Sequence, residues 1–198
     1  RHAIIPMSDS PVRTRVRTGR GELSFQDYFV RQKCEPQVRG FRFVGSRAAR
    51  VPSSLRRIFE TGKVRAVVFC PSDPYVSIAP ILSVPEIRTS LYRRTFPVIA
   101  VSPIVGGAAI KGPAAKMMRE LGSEASALGV VRHYGDRVDG WVIDEQDAQL
   151  RRPIEREGKA VTVVDTVMND SRKSAQLAKC VVSFARRLAR RGVLAIKR

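Results

Sequence analysis

The sequence predicts an α/β protein with a Rossmann-like three-layer α/β/α architecture and a mostly parallel sheet. Short apolar runs alternate with helical patterns along the 198 residues, which is typical of βα units. The apolar runs are continuous rather than alternating, as expected for strands that are covered on both faces. These four predicted strands are Ala66–Cys70, Pro97–Val101, Asp139–Ile143 and Ala160–Val164.

Helical patterns occupy the segments between these runs. Ser24–Asp27 has the spacing of a capping box and predicts a helix toward Cys34. Asp73 can cap a helix with Pro74 at its first position. The prolines that follow predict two short helices in place of one long helix. Further helices are predicted over Ser53–Gly62, Ala114–Leu121 and Gln146–Glu157, with Pro153 interrupting the last.

Two terminal patterns complete the predicted fold. Ile4 and Ile5 are predicted to end a strand, and Val12–Arg17 alternates like an exposed strand or an edge ribbon. Ser171–Arg191 predicts a basic amphipathic helix whose apolar stripe either packs on the domain or lies on an anionic membrane. That stripe consists of Leu177, Val181, Phe184 and Leu188. We therefore divide the chain into an α/β domain over 1–170 and a basic helix over 171–198.

The charge is strongly positive. Lys and Arg number 36 against 18 Asp and Glu, a net charge of +18, and residues 171–198 contain nine basic residues and no acid. Such a balance favours nucleic acid, an anionic membrane or phosphorylated small molecules as partners, or it is simply a solvated arginine-rich surface. Nucleic acid is disfavoured because only 7% of the residues are aromatic and no helix-turn-helix pattern occurs.

Several classes of protein are excluded or disfavoured by composition. No run of 18 apolar residues occurs, so no membrane span is predicted. Cys34, Cys70 and Cys180 are odd in number and far apart, which fits a reducing compartment and a cytoplasmic protein. With only two histidines there is little material for a catalytic triad or a histidine metal site, and we expect His133 to be a surface or packing histidine. The chain lacks an initiator Met, so we expect it to begin inside a longer protein.

The segment after the first predicted buried strand is a candidate binding loop. In an open parallel sheet, ligands bind beyond the carboxyl ends of the strands. Ser72 and Ser77 supply hydroxyls there, and a helix that begins after Asp73 would offer free N–H groups to an anion. The alternative is ordinary turn chemistry, since Pro, Ser and Asp are common in any tight strand-to-helix turn.

The glycine-rich segment after the second buried strand is the more informative one. Gly106 and Gly107 permit a positive φ or a close approach of backbone to a ligand. Lys111 lies just before a helix that we expect to be capped by Gly112 with Pro113 at its first position. The order of residues fits neither a Walker A loop nor a dinucleotide fingerprint, so phosphate binding is one interpretation of this loop.

The first residues supply a third candidate group. Ser8 and Asp9 follow Pro6-Met7 in a polar loop, and Arg13 begins the alternating ribbon. Asp9 could coordinate a metal or orient a hydroxyl, and Arg13 or Arg15 could bind phosphate. A lone aspartate in a loop is more commonly a turn residue.

Together these segments resemble the 2-phospho-L-lactate transferase (CofD) family. The order and spacing match from about Ile4 to Met168. The matching strings are Pro6-Met7-Ser8-Asp9 with Val12-Arg13-Thr14, Leu23–Gln26 with Tyr28-Phe29-Val30, Pro71-Ser72-x-Pro74 with Ser77-Ile78-x-Pro80-Ile81-Leu82, Val101–Ile104 with Gly106-Gly107 and Lys111–Met118, Asp139-Gly140 with Val142–Asp144, and Asp165-Thr166-x-Met168.

The resemblance implies a specific activity. The family makes coenzyme F-420 by moving a phospholactyl or phosphoenolpyruvyl group from a guanosine diphosphate carrier to the deazaflavin alcohol Fo, with Mg²⁺ assisting and GMP released. It implies a nucleotide-binding role for Ser72, Asp73 and Ser77. It likewise implies phosphate contacts for Gly106, Gly107 and Lys111. Ser8, Asp9 and Arg13 would line the reacting centre. We expect a homodimer.

The sequence also departs from the family pattern. Family members are longer and open with a strand and a glycine-rich loop that cradles the nucleotide, followed by an aspartate-bearing segment that contacts Fo and metal. Asp73 stands where the family has Asn, and Glu86 where it tends to have Gly. Two other hypotheses therefore remain, a non-catalytic basic module that binds nucleotide or nucleic acid, and a relative that binds a sugar nucleotide and regulates.

Overall fold

The computed structural model describes residues 2–190 and contains the predicted parallel sheet. Its strands are β4 (Val67–Phe69), β5 (Val98–Val101), β8 (Gly140–Ile143) and β9 (Ala160–Val163), in the spatial order β4-β5-β8-β9. All three neighbouring pairs are parallel. Each strand lies within the run predicted for it, so the α/β fold class is confirmed.

Helices cover both faces of this sheet, which gives the three layers. On one face lie α1 (Ser53–Glu60), α2 (Ala79–Leu82), α3 (Pro85–Tyr92), α4 (Ala114–Glu120), α5 (Ala127–Tyr134) and α6 (Arg151–Arg156). They pack on alternate strand residues such as Val98 and Trp141, both fully buried. The intervening residues, Ile99, Val101 and Val142, face the other way. Alternation along the strands thus divides one sheet between two apolar cores.

The helix α7 (Ser171–Arg190) covers the second face. Its buried side chains include Leu177, Val181, Phe184 and Leu188, the four positions of the predicted stripe. The stripe therefore packs on the sheet. The arginines of the helix are exposed, and one of them, Arg187, donates a hydrogen bond to the Thr162 hydroxyl of β9 at 3.2 Å. Residues 191–198 of the predicted tail lie outside the described residues, and the domain boundary at residue 170 stays a prediction.

A second, antiparallel sheet precedes the parallel one. It consists of β1 (Arg13–Thr18), β2 (Gly21–Ser24) and β3 (Val38–Val44), and β1 lies in its centre. The predicted exposed or edge position of this ribbon is wrong, because β2 and β3 pair with both sides of β1 and Val16 is fully buried. The predicted strand end at Ile4 and Ile5 is also wrong, since residues 2–12 form neither helix nor strand.

Shorter elements complete the chain. Two π-helical turns span Asp27–Arg31 and Pro74–Ile78, and 3₁₀ turns span Gly135–Arg137 and Glu145–Leu150. The first π turn is the helix predicted after Ser24, whose hydroxyl accepts a hydrogen bond from the Asp27 N–H at 3.1 Å. A two-stranded hairpin, β6 (Ile104–Val105) and β7 (Ala108–Ala109), follows β5.

Candidate functional site

The carboxyl ends of the four parallel strands lie at one edge of the sheet, which we call the carboxyl edge. Polar segments follow these strands. Ser72 comes three residues after the end of β4, and Ser102 and Asp144 come directly after β5 and β8. A fourth begins at Asp165, two residues after β9. The sequence-predicted nucleotide and phosphate residues belong to the first two segments.

Asp73 caps the π-helical turn after β4, as predicted. Its Oδ1 accepts hydrogen bonds from the N–H groups of Tyr75 at 2.8 Å and Val76 at 3.1 Å. Its backbone carbonyl accepts two more, from Ser77 and Ile78. The expectation of free N–H groups at this turn is therefore wrong, because Asp73 itself occupies them.

The second oxygen of Asp73 has no such support. Oδ2 is buried and has no hydrogen-bond partner among the described residues. Burial raises the pKa of Asp73, and the hydrogen bonds from Tyr75 and Val76 offset this only in part. A neutral side chain would be accommodated more easily here, and Asn is the residue that the sequence resemblance implies for this position.

Ser72 and Ser77 flank this cap and are both half-buried. Ser72 precedes Asp73, and Ser77 lies within the π-helical turn. Their hydroxyls, rather than the turn's N–H groups, are the groups that this segment can offer to a nucleotide.

The glycine pair after β5 forms the turn of the β6–β7 hairpin. Gly106 has φ of 56° and Gly107 has φ of 78°. Two consecutive positive φ angles are the requirement of a type I′ turn, which two-residue hairpins prefer. The predicted positive φ is confirmed, and both residues are exposed.

The side chain of Asp147, which lies in the 3₁₀ turn after β8, hydrogen-bonds to the glycine turn. The Gly106 N–H lies 3.2 Å from each of its carboxylate oxygens, and the residue is only 3% exposed. Burial raises the pKa of Asp147, and the hydrogen bond from Gly106 lowers it in part. Sequence reasoning missed this residue, although four polar residues directly after a buried strand were a signal that could have drawn attention to it.

Asp144 joins the segments that follow β8 and β9. Its Oδ2 accepts hydrogen bonds from the Thr166 N–H at 2.8 Å and the Thr166 hydroxyl at 2.9 Å. Its Oδ1 accepts one from the Gln146 N–H at 3.0 Å. Burial alone would raise the pKa of Asp144, but these hydrogen bonds outweigh it and hold the pKa below its ordinary value. Asp144 is therefore an ionised structural link.

Lys111 is exposed in the segment that connects β7 to α4. Gly112 before the helix has φ of 77°. Pro113 is the N-cap rather than the first helical residue, and α4 begins at Ala114, the start of the predicted range. Lys116, by contrast, is bound to Glu120 and to the carbonyl of Pro36 and so ties α4 to the segment before β3.

The predicted reacting-centre residues lie in the irregular N-terminal segment and at the start of β1. The Ser8 hydroxyl accepts a hydrogen bond from the Ser10 N–H at 3.0 Å. The Asp9 N–H donates to the Arg50 carbonyl at 3.1 Å. Asp9 and Arg13 are exposed. The first of these hydrogen bonds lies within the loop, and the second joins the loop to Arg50 before α1.

Neither of two surface clefts is lined by a predicted site residue. One, of about 310 Å³, lies between α1 and α3, and the Arg56–Glu86 ion pair forms part of its wall. The other, of about 270 Å³, lies between β9 and α7. The loops of the candidate site line neither of these two clefts.

The possible metal ligands in the described part of the chain do not gather into a metal site, and its cysteines form no disulfide. Within residues 2–190 no group of three or more His, Cys, Asp or Glu is placed to hold a metal ion. Cys34, Cys70 and Cys180 are free thiols.

His133 packs edge-on against the rings of Tyr75 and Tyr134, at 4.7 and 5.2 Å between centroids. Burial lowers its pKa, so the predicted packing role is confirmed.

Across residues 2–190, none of the helices combines the length and the apolar character needed to cross a membrane.

Comparison with known proteins gives relatives over nearly the whole chain. A 2-phospho-L-lactate transferase of Methanosarcina mazei is 40% identical over 179 residues, covering 90% of this chain and 58% of the relative. A phosphoenolpyruvate transferase of Thermobifida fusca is 37% identical over 194 residues, covering 95% of this chain and 58% of the relative. The chain thus spans just under three-fifths of the length of these relatives.

A solved structure supports the fold independently. A Bacillus halodurans protein of known crystal structure matches with a TM-score of 0.60 and 11% identity, covering 89% of this chain and 60% of that protein. The family model described as "2-phospho-L-lactate transferase CofD" matches residues 1–183. The chain belongs to the CofD family.

Proposed function

We propose that this chain acts in a transferase of coenzyme F-420 biosynthesis. The reaction moves a phospholactyl or phosphoenolpyruvyl group from a guanosine diphosphate carrier to the deazaflavin Fo and releases GMP. The observation that carries the proposal is the CofD family match over residues 1–183. Relatives of both names match, a 2-phospho-L-lactate transferase and a phosphoenolpyruvate transferase, so the three-carbon acid is left open.

The chemistry requires positioning more than a protein nucleophile. The terminal hydroxyl of Fo attacks phosphorus, a new P–O bond forms, and the P–O bond to GMP breaks. In such reactions the protein aligns the reactants and neutralises charge. A site formed by loops that carry hydroxyls, a glycine turn and exposed cations suits this task. A reaction that needs no protein nucleophile also agrees with the packed position of the histidine and with the cysteines being free thiols.

The proposed roles follow the three segments. Ser72, Asp73 and Ser77 bind the nucleotide. Gly106, Gly107 and Lys111 contact phosphate, the two glycines through the close approach that residues without side chains allow and Lys111 through a full positive charge. Ser8, Asp9 and Arg13 line the reacting centre.

Mg²⁺ is part of the proposal. Magnesium commonly takes one or two carboxylates together with substrate phosphates and keeps several waters. The described residues hold no ready-made cluster of donors, so no step is assigned to the ion here. We propose that the exposed carboxylate of Asp9 binds Mg²⁺ together with the diphosphate.

A homodimer and a cytoplasmic location are likewise proposed. Size-exclusion chromatography with light scattering tests the homodimer.

Release of GMP tests the function directly. The 198-residue chain is incubated with Fo, Mg²⁺ and either guanosine diphosphate-linked acid, and GMP and the phosphorylated deazaflavin are separated by liquid chromatography. We expect GMP only when both substrates are present, and we expect Lys111→Ala and Asp9→Ala to reduce it. Lys63→Ala, which removes an exposed lysine in the segment before β4, is the control and should have no effect.

Salt dependence separates this function from the alternative of a basic binding module. A nucleotide site should lose affinity modestly between low and moderate salt, whereas binding through many phosphates weakens steeply. Turnover that is absent, together with nucleic-acid binding of steep salt dependence, would replace the transferase with the binding module.

A further inference from the structure

The turn at Gly106 and Gly107 depends on support from outside its own hairpin. The strands β6 and β7 have only two residues each, paired as Ile104 with Ala109 and Val105 with Ala108. Isolated two-stranded hairpins are marginal in water even when they are longer. Something else must therefore hold the turn in one shape.

The 3₁₀ turn after β8 provides that support. Both oxygens of the buried Asp147 carboxylate face the Gly106 N–H at 3.2 Å. Gln146 Oε1 lies 3.4 Å from the place that a Cβ on Gly106 would occupy. The turn thus sits directly on two adjacent side chains, and a larger residue at Gly106 would meet both a left-handed backbone and Gln146.

Asp147 is itself anchored. Its N–H donates to the carbonyl of Asp144 at 3.0 Å, and the Asp144 carboxylate accepts two hydrogen bonds from Thr166. A continuous chain of hydrogen bonds therefore joins the segments that follow β9, β8 and β5. The turn has a fixed position relative to the whole carboxyl edge.

A buried carboxylate is an unexpected choice beneath a turn that is to contact phosphate. Its negative charge works against an anionic ligand, and it consumes the Gly106 N–H that could have bound one. Its contribution must lie in the geometry that it fixes, including the path of the chain onward to Lys111.

From these contacts we propose that Asp147 is a positioning residue, which holds the Gly106–Gly107 turn in the shape that receives the diphosphate of the nucleotide substrate. This inference rests on the proposed function for the identity of the ligand. The hydrogen bonds that carry it belong to the protein alone. It assigns to Asp147 a role in substrate binding although the side chain does not touch the substrate.

Three variants separate geometry from charge. Asp147→Ala removes the acceptor, and we expect KM for the guanosine diphosphate-linked substrate to rise about tenfold, the effect of one hydrogen bond to a charged group, with kcat little changed. Asp147→Asn keeps one acceptor oxygen and should restore KM to within about threefold of the original value. A matched control is Thr18→Val, which removes a similar side-chain clamp from the β1–β2 hairpin.

Hydrogen–deuterium exchange of the substrate-free protein provides a readout that needs no activity. In Asp147→Ala the peptide containing Gly106 should exchange faster, while peptides from β5 and β8 should not change. Thr18→Val should accelerate only the β1–β2 peptide and leave KM unchanged.

Each result decides the proposal. Unchanged exchange at Gly106 in Asp147→Ala would show that the carboxylate does not hold the turn. Faster exchange with an unchanged KM would show that the turn is held but does not serve the nucleotide. A rise of KM in Thr18→Val equal to that in Asp147→Ala would reduce the effect to general destabilisation. Wild-type protein that neither binds GDP nor releases GMP would overturn the proposed function itself, whatever exchange shows.

Discussion

Replacing Gly140 with Ala tests the packing of α7 on the parallel sheet. A Cβ at this position would lie 2.5 Å from Leu188 Cδ1 and 2.8 Å from Phe184 Cε1. Gly140 does not have a positive φ, so the backbone tolerates Ala and the effect is purely steric. Both helix side chains are almost fully buried, at 2% and 4% exposure. The added methyl group therefore has to displace the helix or force these side chains from their rotamers.

Overpacking of this kind costs about 1–3 kcal/mol. For a chain of this length each kcal/mol lowers the melting temperature by about 2–4 °C. Urea unfolding followed by circular dichroism measures the loss. Gly19→Ala is the control, because a Cβ there meets only the end of the Arg39 side chain at 3.2 Å, and we expect a change within about 0.5 kcal/mol.

A double-mutant cycle with Leu188→Ala identifies the cause. Leu188→Ala alone should cost about 2–5 kcal/mol, because it leaves a cavity in the core. In that background Gly140→Ala should cost less than in the wild type, since the closest clash is gone, and we expect a coupling of about 1 kcal/mol. If Gly140→Ala is as mild as Gly19→Ala, or if the two changes simply add, α7 does not pack on β8 as described.

Three further changes have defined outcomes. Asp73→Asn should stabilise the protein by about 1 kcal/mol at neutral pH, since it removes the charge from a buried side chain whose Oδ2 has no partner in the described chain. Because the folded state raises the pKa of Asp73 above its ordinary 3.8, the advantage should be small below that pH and grow as pH rises, as urea unfolding at several pH values would show. Asp139→Asn should cost about 3–5 kcal/mol by breaking the buried ion pair with Arg94, at 2.9 Å, while KM in the GMP-release assay stays unchanged because this pair lies at the opposite edge of the sheet. Lys111→Ala should weaken GDP binding in calorimetry and flatten its salt dependence; an unchanged salt dependence would remove Lys111 from the phosphate site.

The parallel sheet was predictable because its strands carry their own signal. Residues such as Val98 to Val101 are buried on both faces, so the run is apolar throughout and needs no knowledge of its neighbours. The same holds for the stripe of α7, whose period follows from the helix itself.

Elements stabilised by distant contacts were not predictable. Helix α5 contains Gly129 and the β-branched pair Val130 and Val131, which disfavour a helix. It forms because Ser126 caps it and because these valines are buried in the core. The central position of β1 in its sheet depends on pairing with β3. Because the paired residues of β3 lie about twenty or more positions further along the chain, the sequence around β1 does not reveal this position.

The same limit explains which site residues were missed. The cap formed by Asp73 involves N–H groups two and three residues away, and sequence spacing revealed it. Asp147 binds an N–H group 41 residues away, and Asp144 binds Thr166 at a separation of 22 residues. No local pattern encodes these pairs, so only the fold shows that the loops of the carboxyl edge are joined.

The joined loops also constrain how this protein can bind a diphosphate. In many α/β proteins phosphate is bound by backbone N–H groups at a helix N-terminus. Here the N–H groups of Tyr75 and Val76 are bound by Asp73, and that of Gly106 by Asp147. In the proposed function these three N–H groups are therefore not free for the phosphates, and Lys111, the exposed cation nearest in sequence to the glycine turn, supplies positive charge there. Phosphate binding at this edge should consequently depend on lysine and arginine more than on helix dipoles, which is the dependence that the charge of +18 leads one to expect.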